Sequence, residues 1–151
     1  MTMAELVKVR VPLDDGPVAG ETLWAELVGE QQYRLANCPF YAEGLAEGDI
    51  VRCVTRDGWL TVLAMEEDGG NANIRILIAR DADAVSVDAL LGKLVSVGCT
   101  FERAGPQLVA VTVPATVKVP FSQLSNYLNE TDDGVVEGWD VGKWPVSSQA
   151  S

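Results

Sequence analysis

From Glu5 to Met65 no apolar pattern holds a helical period. The apolar residues come in short runs that alternate with polar ones and stop at turn-forming residues. A chain so patterned buries one face as short strands, because side chains alternate across a strand. Glu5-Leu-Val-Lys-Val-Arg-Val-Pro-Leu13 sets Val7, Val9 and Val11 on one face, and Asp14-Asp15-Gly16-Pro17 ends the run with turn chemistry. Glu21 to Val28 and Gln32 to Leu35 read as a hairpin with Trp24, Leu27, Tyr33 and Leu35 as its apolar content. Asp49 to Thr55 and Trp59 to Met65 flank Arg56-Asp57-Gly58, where Asp-Gly tolerates the positive φ of a tight hairpin turn. These strands, with a loop from Asn37 to Gly48, predict a small antiparallel β unit that curls toward a barrel.

Glu66-Glu67-Asp68-Gly69-Gly70-Asn71 is polar, carries two glycines and follows an apolar strand. It reads as a solvated boundary between residues 1–70 and residues 71–144, with 145–151 a frayed tail. The two halves form either separate units or one domain with a shared core.

The second half has another rhythm. Asn73 to Ile78 is a strand; Ser86 caps a helix through Val87, Leu90, Leu91, Leu94 and Val95, and Gly98 stands at its C-terminus. Cys99 to Arg103 and Leu108 to Val113 are two further strands. Pro120 begins a second helix with Phe121, Leu124 and Leu128 on its buried side, and Val135 to Val141 is a last strand. The fold class expected is α+β, a barrel-like β unit followed by a ferredoxin-like βαββαβ unit.

Absence carries the functional reading. The chain has no histidine, which removes Ser-His-Asp and Cys-His catalysis, imidazole acid–base chemistry and most transition-metal sites. Cys38, Cys53 and Cys99 are isolated among apolar neighbours and form no Cys-x-x-Cys pair, so they read as buried reduced thiols rather than zinc ligands. No phosphate-binding loop, dinucleotide fingerprint or nucleophile elbow is present, and neither a cofactor nor a metal is expected. No run suits a bilayer span, and Glu5 stands where a secretory signal needs its positive region. The expected location is the cytoplasm.

Eleven Lys and Arg against 22 Asp and Glu give a net charge of −11. Residues 1–70 hold 13 acids and 5 bases, residues 71–151 hold 9 and 6, so the first half is the more acidic. Such a field repels phosphate backbones and anionic lipid and attracts a basic protein surface; it also serves plain solubility.

Three groups of residues stand out. Phe40 and Tyr41, on the loop with Gly44, Gly48 and Asp49, offer an exposed aromatic contact; alternatively the two rings plug the barrel while Asp49 bonds a turn. Glu66-Glu67-Asp68 lacks the spacing of a calcium loop. Among Trp24, Trp59, Trp139 and Trp144, Trp24 reads as core, Trp59 as partly exposed, and the last two as cover for the second sheet. The candidate partner-binding residues are Phe40, Tyr41 and Trp59, with Asp14, Asp15, Glu43, Glu47 and Asp57 supplying the field.

Glu21-Thr-Leu-Trp-Ala25, Tyr33-Arg-Leu-Ala-Asn37, Pro39-Phe40 and Gly48-Asp49-Ile-Val51, with Gly98-Cys-Thr-Phe-Glu102 and Leu108-Val-Ala-Val111, resemble a bacterial family of unknown function, number 4265 in the DUF series. The resemblance spans roughly residues 5–141. It implies a bacterial, cytoplasmic origin and supplies no activity and no catalytic residue.

The expectation is therefore a non-enzymatic acidic protein-binding module, an inhibitor or immunity-type protein that neutralises a basic protein such as a toxin. One alternative is a small-ligand-binding or regulatory domain, dimeric through its ferredoxin-like half. Another is a carboxylate enzyme with Asp49 or Glu102 as general base.

Overall fold

Val9 faces Leu23, and Val7 faces Ala25, across the first antiparallel ladder, which joins β1 (Leu6–Pro12) to β2 (Gly20–Gly29). The computed structural model describes residues 5–13, 19–117, 120–129 and 134–144; the Asp14–Pro17 turn and the 145–151 tail lie outside them. β3 (Gln32–Leu35), β4 (Ile50–Arg56) and β5 (Trp59–Glu67) continue the antiparallel meander. It closes on itself where β1 meets β5 in parallel at Arg10 and Thr61. Asp57 and Gly58 take φ 52 and 80 at the β4–β5 turn, the left-handed pair that Asp-Gly accepts.

Strand parity decides the barrel interior. Glu21, Leu23 and Ala25 point inward, so Trp24, of opposite parity, lies outside and is 42% exposed. The expectation of a core Trp24 is thereby corrected. Leu27 is also exposed, since it sits where the β2–β3 register shifts. Tyr33 packs against the barrel core, and Leu35 is buried within it.

The second unit runs β6 (Ala72–Ile78), α1 (Ala84–Ser96), β7 (Thr100–Ala104), β8 (Leu108–Val113), α2 (Phe121–Asn129) and β9 (Val136–Lys143). Its four strands lie in the order β7-β8-β6-β9 with every neighbour antiparallel. Ile74, Ile76, Val109 and Val111 share one core with Leu90, Leu91 and Leu94 of α1 and Leu124 and Leu128 of α2. Both helices therefore cover the same sheet face.

Three local expectations are corrected. Asp83, not Ser86, caps α1, and its carboxylate accepts from the Ser86 N–H and hydroxyl at 3.3 and 3.1 Å. Val95 is half exposed because it falls outside the stripe Val87, Leu90, Leu91, Leu94. Phe121 is exposed too, with its ring 5.0 Å from Trp144 and 6.1 Å from Trp139. Gly98 does end α1: at φ 105 it lets its N–H and that of Cys99 reach the Val95 and Leu94 carbonyls, a two-bond closure open to a left-handed residue. No helix among the described residues is long and apolar enough to cross a membrane.

Candidate functional site

The sheet face turned away from the helices carries Asn73, Arg75 and Leu77, and the loop of residues 36–49 from the barrel lies against it. Buried polar side chains hold that loop in place. Glu21, inside the barrel wall, accepts the N–H groups of Phe40, Tyr41 and Ala42 at 2.6, 3.1 and 2.9 Å. Glu102, on β7, accepts the Asn37 amide at 3.0 Å and the Cys38 N–H at 2.8 Å. Asn73 donates to the Pro39 and Leu45 carbonyls and accepts from the Cys38 thiol. A loop full of buried backbone needs such partners, because each unpaired N–H in a dry interior is costly.

The same arrangement fixes the thiols. Burial pushes Cys38 up to about 12, with the nearby Thr112 hydroxyl opposing and the charges of Glu102, Glu47 and Glu21 adding to it. Cys53 and Cys99 rise to about 11 by burial. All three are free and buried; Cys53 and Cys99 belong to the two apolar cores, whereas Cys38 sits in the polar junction.

The 66–71 segment is no solvated linker throughout. Asp49, fully buried, accepts from the N–H groups of Ala46 and Gly69 and from Lys143 Nζ. Asp68 accepts from the same Lys143 at 2.6 Å, and that hydrogen bond holds its carboxyl below the usual 3.8. Asn71 bridges the Glu47 carbonyl and the Ala115 N–H.

At the rim of this junction opens a groove of about 450 Å3, lined by Phe40, Tyr41, Glu43, Arg75, Leu77 and Asp140 among others. Arg75 is the base of it. Its Nε and Nη2 bind Asp140 at 2.7 and 2.9 Å, Nη2 also binds Glu43 at 2.7 Å, and Nη1 reaches the Ala42 carbonyl. Burial alone would lower the guanidinium pKa; the bonds to Asp140 and Glu43 outweigh it, and the net shift is upward. The Arg75 side chain is 8% exposed, while those of Glu43 and Asp140 are 71% and 62% exposed. One buried cation thus presents two anions to solvent, leaving an acidic surface beside the exposed ring of Tyr41.

Of the candidate residues, Phe40, Tyr41 and Glu43 come together here. Phe40 is half-buried, and it is Ala42 and Leu45, rather than the two aromatic rings, that belong to the barrel core. Glu47 sits at the junction, its carboxyl raised by burial and by Glu102. Trp59 and Asp57 are at the β4–β5 turn, outside the groove lining, and Trp59 lies against Arg10, whose guanidinium carbon is 5.5 Å from the ring centroid. Trp24 is covered likewise by Lys8, at 5.3 Å. Asp14 and Asp15 lie outside the described residues. Arg75, Asp140 and Lys143 escaped the sequence reading. A signal existed for Arg75, a lone cation inside the apolar strand Asn73-Ile-Arg-Ile-Leu-Ile78. Among the described residues no cluster of His, Cys, Asp and Glu has the form of a metal site.

Residues 21–139 match the model of a domain of unknown function, DUF4265, and the chain belongs to that family. No curated protein matches it. A crystal structure of a hypothetical protein from Neisseria gonorrhoeae superposes with a TM-score of 0.76 over 94% of this chain and 97% of that one, at 20% identity. At that identity the likeness is one of fold.

Proposed function

We propose that this DUF4265 member is a non-enzymatic, cytoplasmic, acidic protein-binding module that docks on a basic protein and neutralises it, as an inhibitor or immunity-type protein does. The observation that carries the reading is the Arg75 arrangement, in which a buried guanidinium holds Glu43 and Asp140 at an open groove next to Tyr41. Two fixed carboxylates beside an aromatic ring suit a lysine or arginine head group, which gains both ion pairing and contact with the ring face. A net charge of −11 steers such a partner and disfavours nucleic acid and anionic membranes. Asp49 and Glu102, the carboxylates with a conceivable catalytic role, are engaged in holding the loop, which favours a binding role.

The test is capture of a basic protein from the native host by the wild-type chain, compared with the double variant E43Q/D140N. A partner retained equally by both, or retained at high salt, counts against the reading.

A second reading, a ligand-binding or regulatory domain, draws on another feature. The order β7-β8-β6-β9 with both helices on one face supports a ferredoxin-like second unit. A cavity of about 460 Å3 lies between the end of β6, the start of α1 and the β7–β8 turn, with Arg80 and Arg103 in its lining. The local acid Asp88 lines it as well, which makes it the weaker site for an anion.

A further inference from the structure

We infer that the basic partner engages through an extended segment that adds to the outer edge of β9 as a fifth strand, with a cationic and a large apolar side chain two residues apart. The inference rests on the reading of the groove as a site for a basic protein and specifies how that protein binds.

β9 is an edge strand, paired with β6 alone. An edge presents unpaired N–H and C=O groups that template another strand. Among the described residues the outer edge of β9 has one backbone bond from the loop, Gly44 N–H to the Gly142 carbonyl at 2.8 Å. That contact closes the barrel end of the edge, and the stretch from Val136 to Asp140 runs on beside the groove.

Side-chain parity then specifies the occupant. Asp140 pairs with Arg75 and Gly138 with Leu77, so Gly138 and Asp140 share the groove face of the sheet. A Cβ on Gly138 would meet nothing within 4 Å, and its neighbour Leu77 is 40% exposed. There is an unfilled apolar recess beside Gly138 and a fixed carboxylate two residues on. An added strand places alternate side chains on that face, so the residue opposite Asp140 is a Lys or Arg and the one opposite Gly138 is large and apolar. The charge of the strand itself selects the same partner: Glu137 and Asp140 occur with no Lys or Arg between positions 134 and 142. A second copy of this chain is a poor occupant, since its own β9 would bring Glu137 and Asp140 to an edge that already carries both acids.

The probe is a synthetic peptide of Ser and Thr carrying one Arg and one Leu two residues apart, titrated to millimolar concentration into the full chain. Amide chemical shifts and hydrogen exchange are followed along β9. Expected are shifts and slowed exchange at residues 136–141. Binding should weaken about tenfold or more on replacing the peptide Arg by Glu, on N-methylating alternate peptide amides, and in the Gly138→Val protein. Equal binding of the N-methylated peptide, or of one with Arg and Leu three apart, overturns strand addition while leaving a basic-ligand groove. No binding at millimolar peptide also overturns it; the fate of the basic-partner reading is then decided separately, by whether capture depends on Glu43 and Asp140. A concentration-dependent dimer with β9 amides protected in the absence of peptide overturns it in favour of self-association.

Discussion

Lys143, at the end of β9, sets its Nζ 2.7 Å from Oδ1 of Asp49, a residue 94 positions earlier in the chain. The carboxylate is fully buried and the lysine side chain is 8% exposed. One ion pair therefore fastens the last strand to the loop that precedes β4, and through Asp68 to the β5–β6 connection.

Removing one member of such a pair leaves a buried charge without its counter-ion, which typically costs about 3–5 kcal/mol. Lys143→Met should lose an amount of that order in urea unfolding. Adding Asp49→Asn in the same chain should restore part of it. A loss under about 1 kcal/mol for Lys143→Met would mean that water reaches Asp49.

The buried thiols set a limit at alkaline pH. Their folded values, about 12 for Cys38 and about 11 for Cys53 and Cys99, lie above the ordinary 9.0. The protonated form is favoured by the fold, so this stability is complete below pH 9.0 and is lost as pH rises from there through the folded values. The melting temperature should fall over that window, and Cys38→Ala should make the fall shallower. At pH 8 iodoacetamide should label the native protein slowly and the urea-unfolded protein fast. Asp68 has the opposite sign. Its lowered carboxyl lends stability above its ordinary 3.8 that disappears as pH falls through the folded value, and Asp68→Asn should flatten that acid limb.

Leu91 and Val95 sit one turn apart on α1, Leu91 at 4% exposure and Val95 at 50%. Leu91→Ala should cost about 2–5 kcal/mol by denaturant unfolding, the usual penalty for emptying a packed site. Val95→Ala should cost no more than about 0.5 kcal/mol, as for surface positions. Equal losses would place the buried stripe of α1 elsewhere.

Docking on a basic partner predicts a split between the two rate constants. Screening lengths fall from about 8 Å at physiological salt to about 3 Å at 1 M, so association should slow steeply across that range while dissociation changes little. Replacing Asp14, Asp15, Glu43, Glu47 and Asp57 by their amides should slow association. Tyr41→Ala should speed dissociation, whereas Trp59→Ala, outside the groove, should leave it within about twofold. An association rate that ignores salt would reduce the charge to a solubility device.

Much of the fold was legible in local pattern. Alternation at Val7, Val9 and Val11, the Asp57-Gly58 turn and the stripe from Val87 to Leu94 each report backbone conformation through residues a few positions apart. These local interactions act over single turns and single strands, and a linear sequence records them directly. Parity errors arose where pattern alone had to choose a face: Trp24 is large and apolar, yet a narrow barrel interior takes Leu23 and Ala25 and sends Trp24 outward. The family resemblance was legible as well, and it carried no chemistry.

The sequence by itself determined the element order, the acidic balance, the absence of imidazole chemistry and the spacing of the cysteines, with no Cys-x-x-Cys pair. Only the tertiary structure decided that Glu43 and Asp140 meet on Arg75, that Lys143 closes on Asp49 and Asp68, and that Trp59 stands apart from Tyr41. These pairings join residues 32 to 94 positions apart. Their partners are chosen by how the loop of residues 36–49 lies across the second sheet, and any of the 22 carboxylates is chemically fit to neutralise a cation. Charge type is a property of one residue, whereas which charges meet in a dry junction is a property of the packed chain.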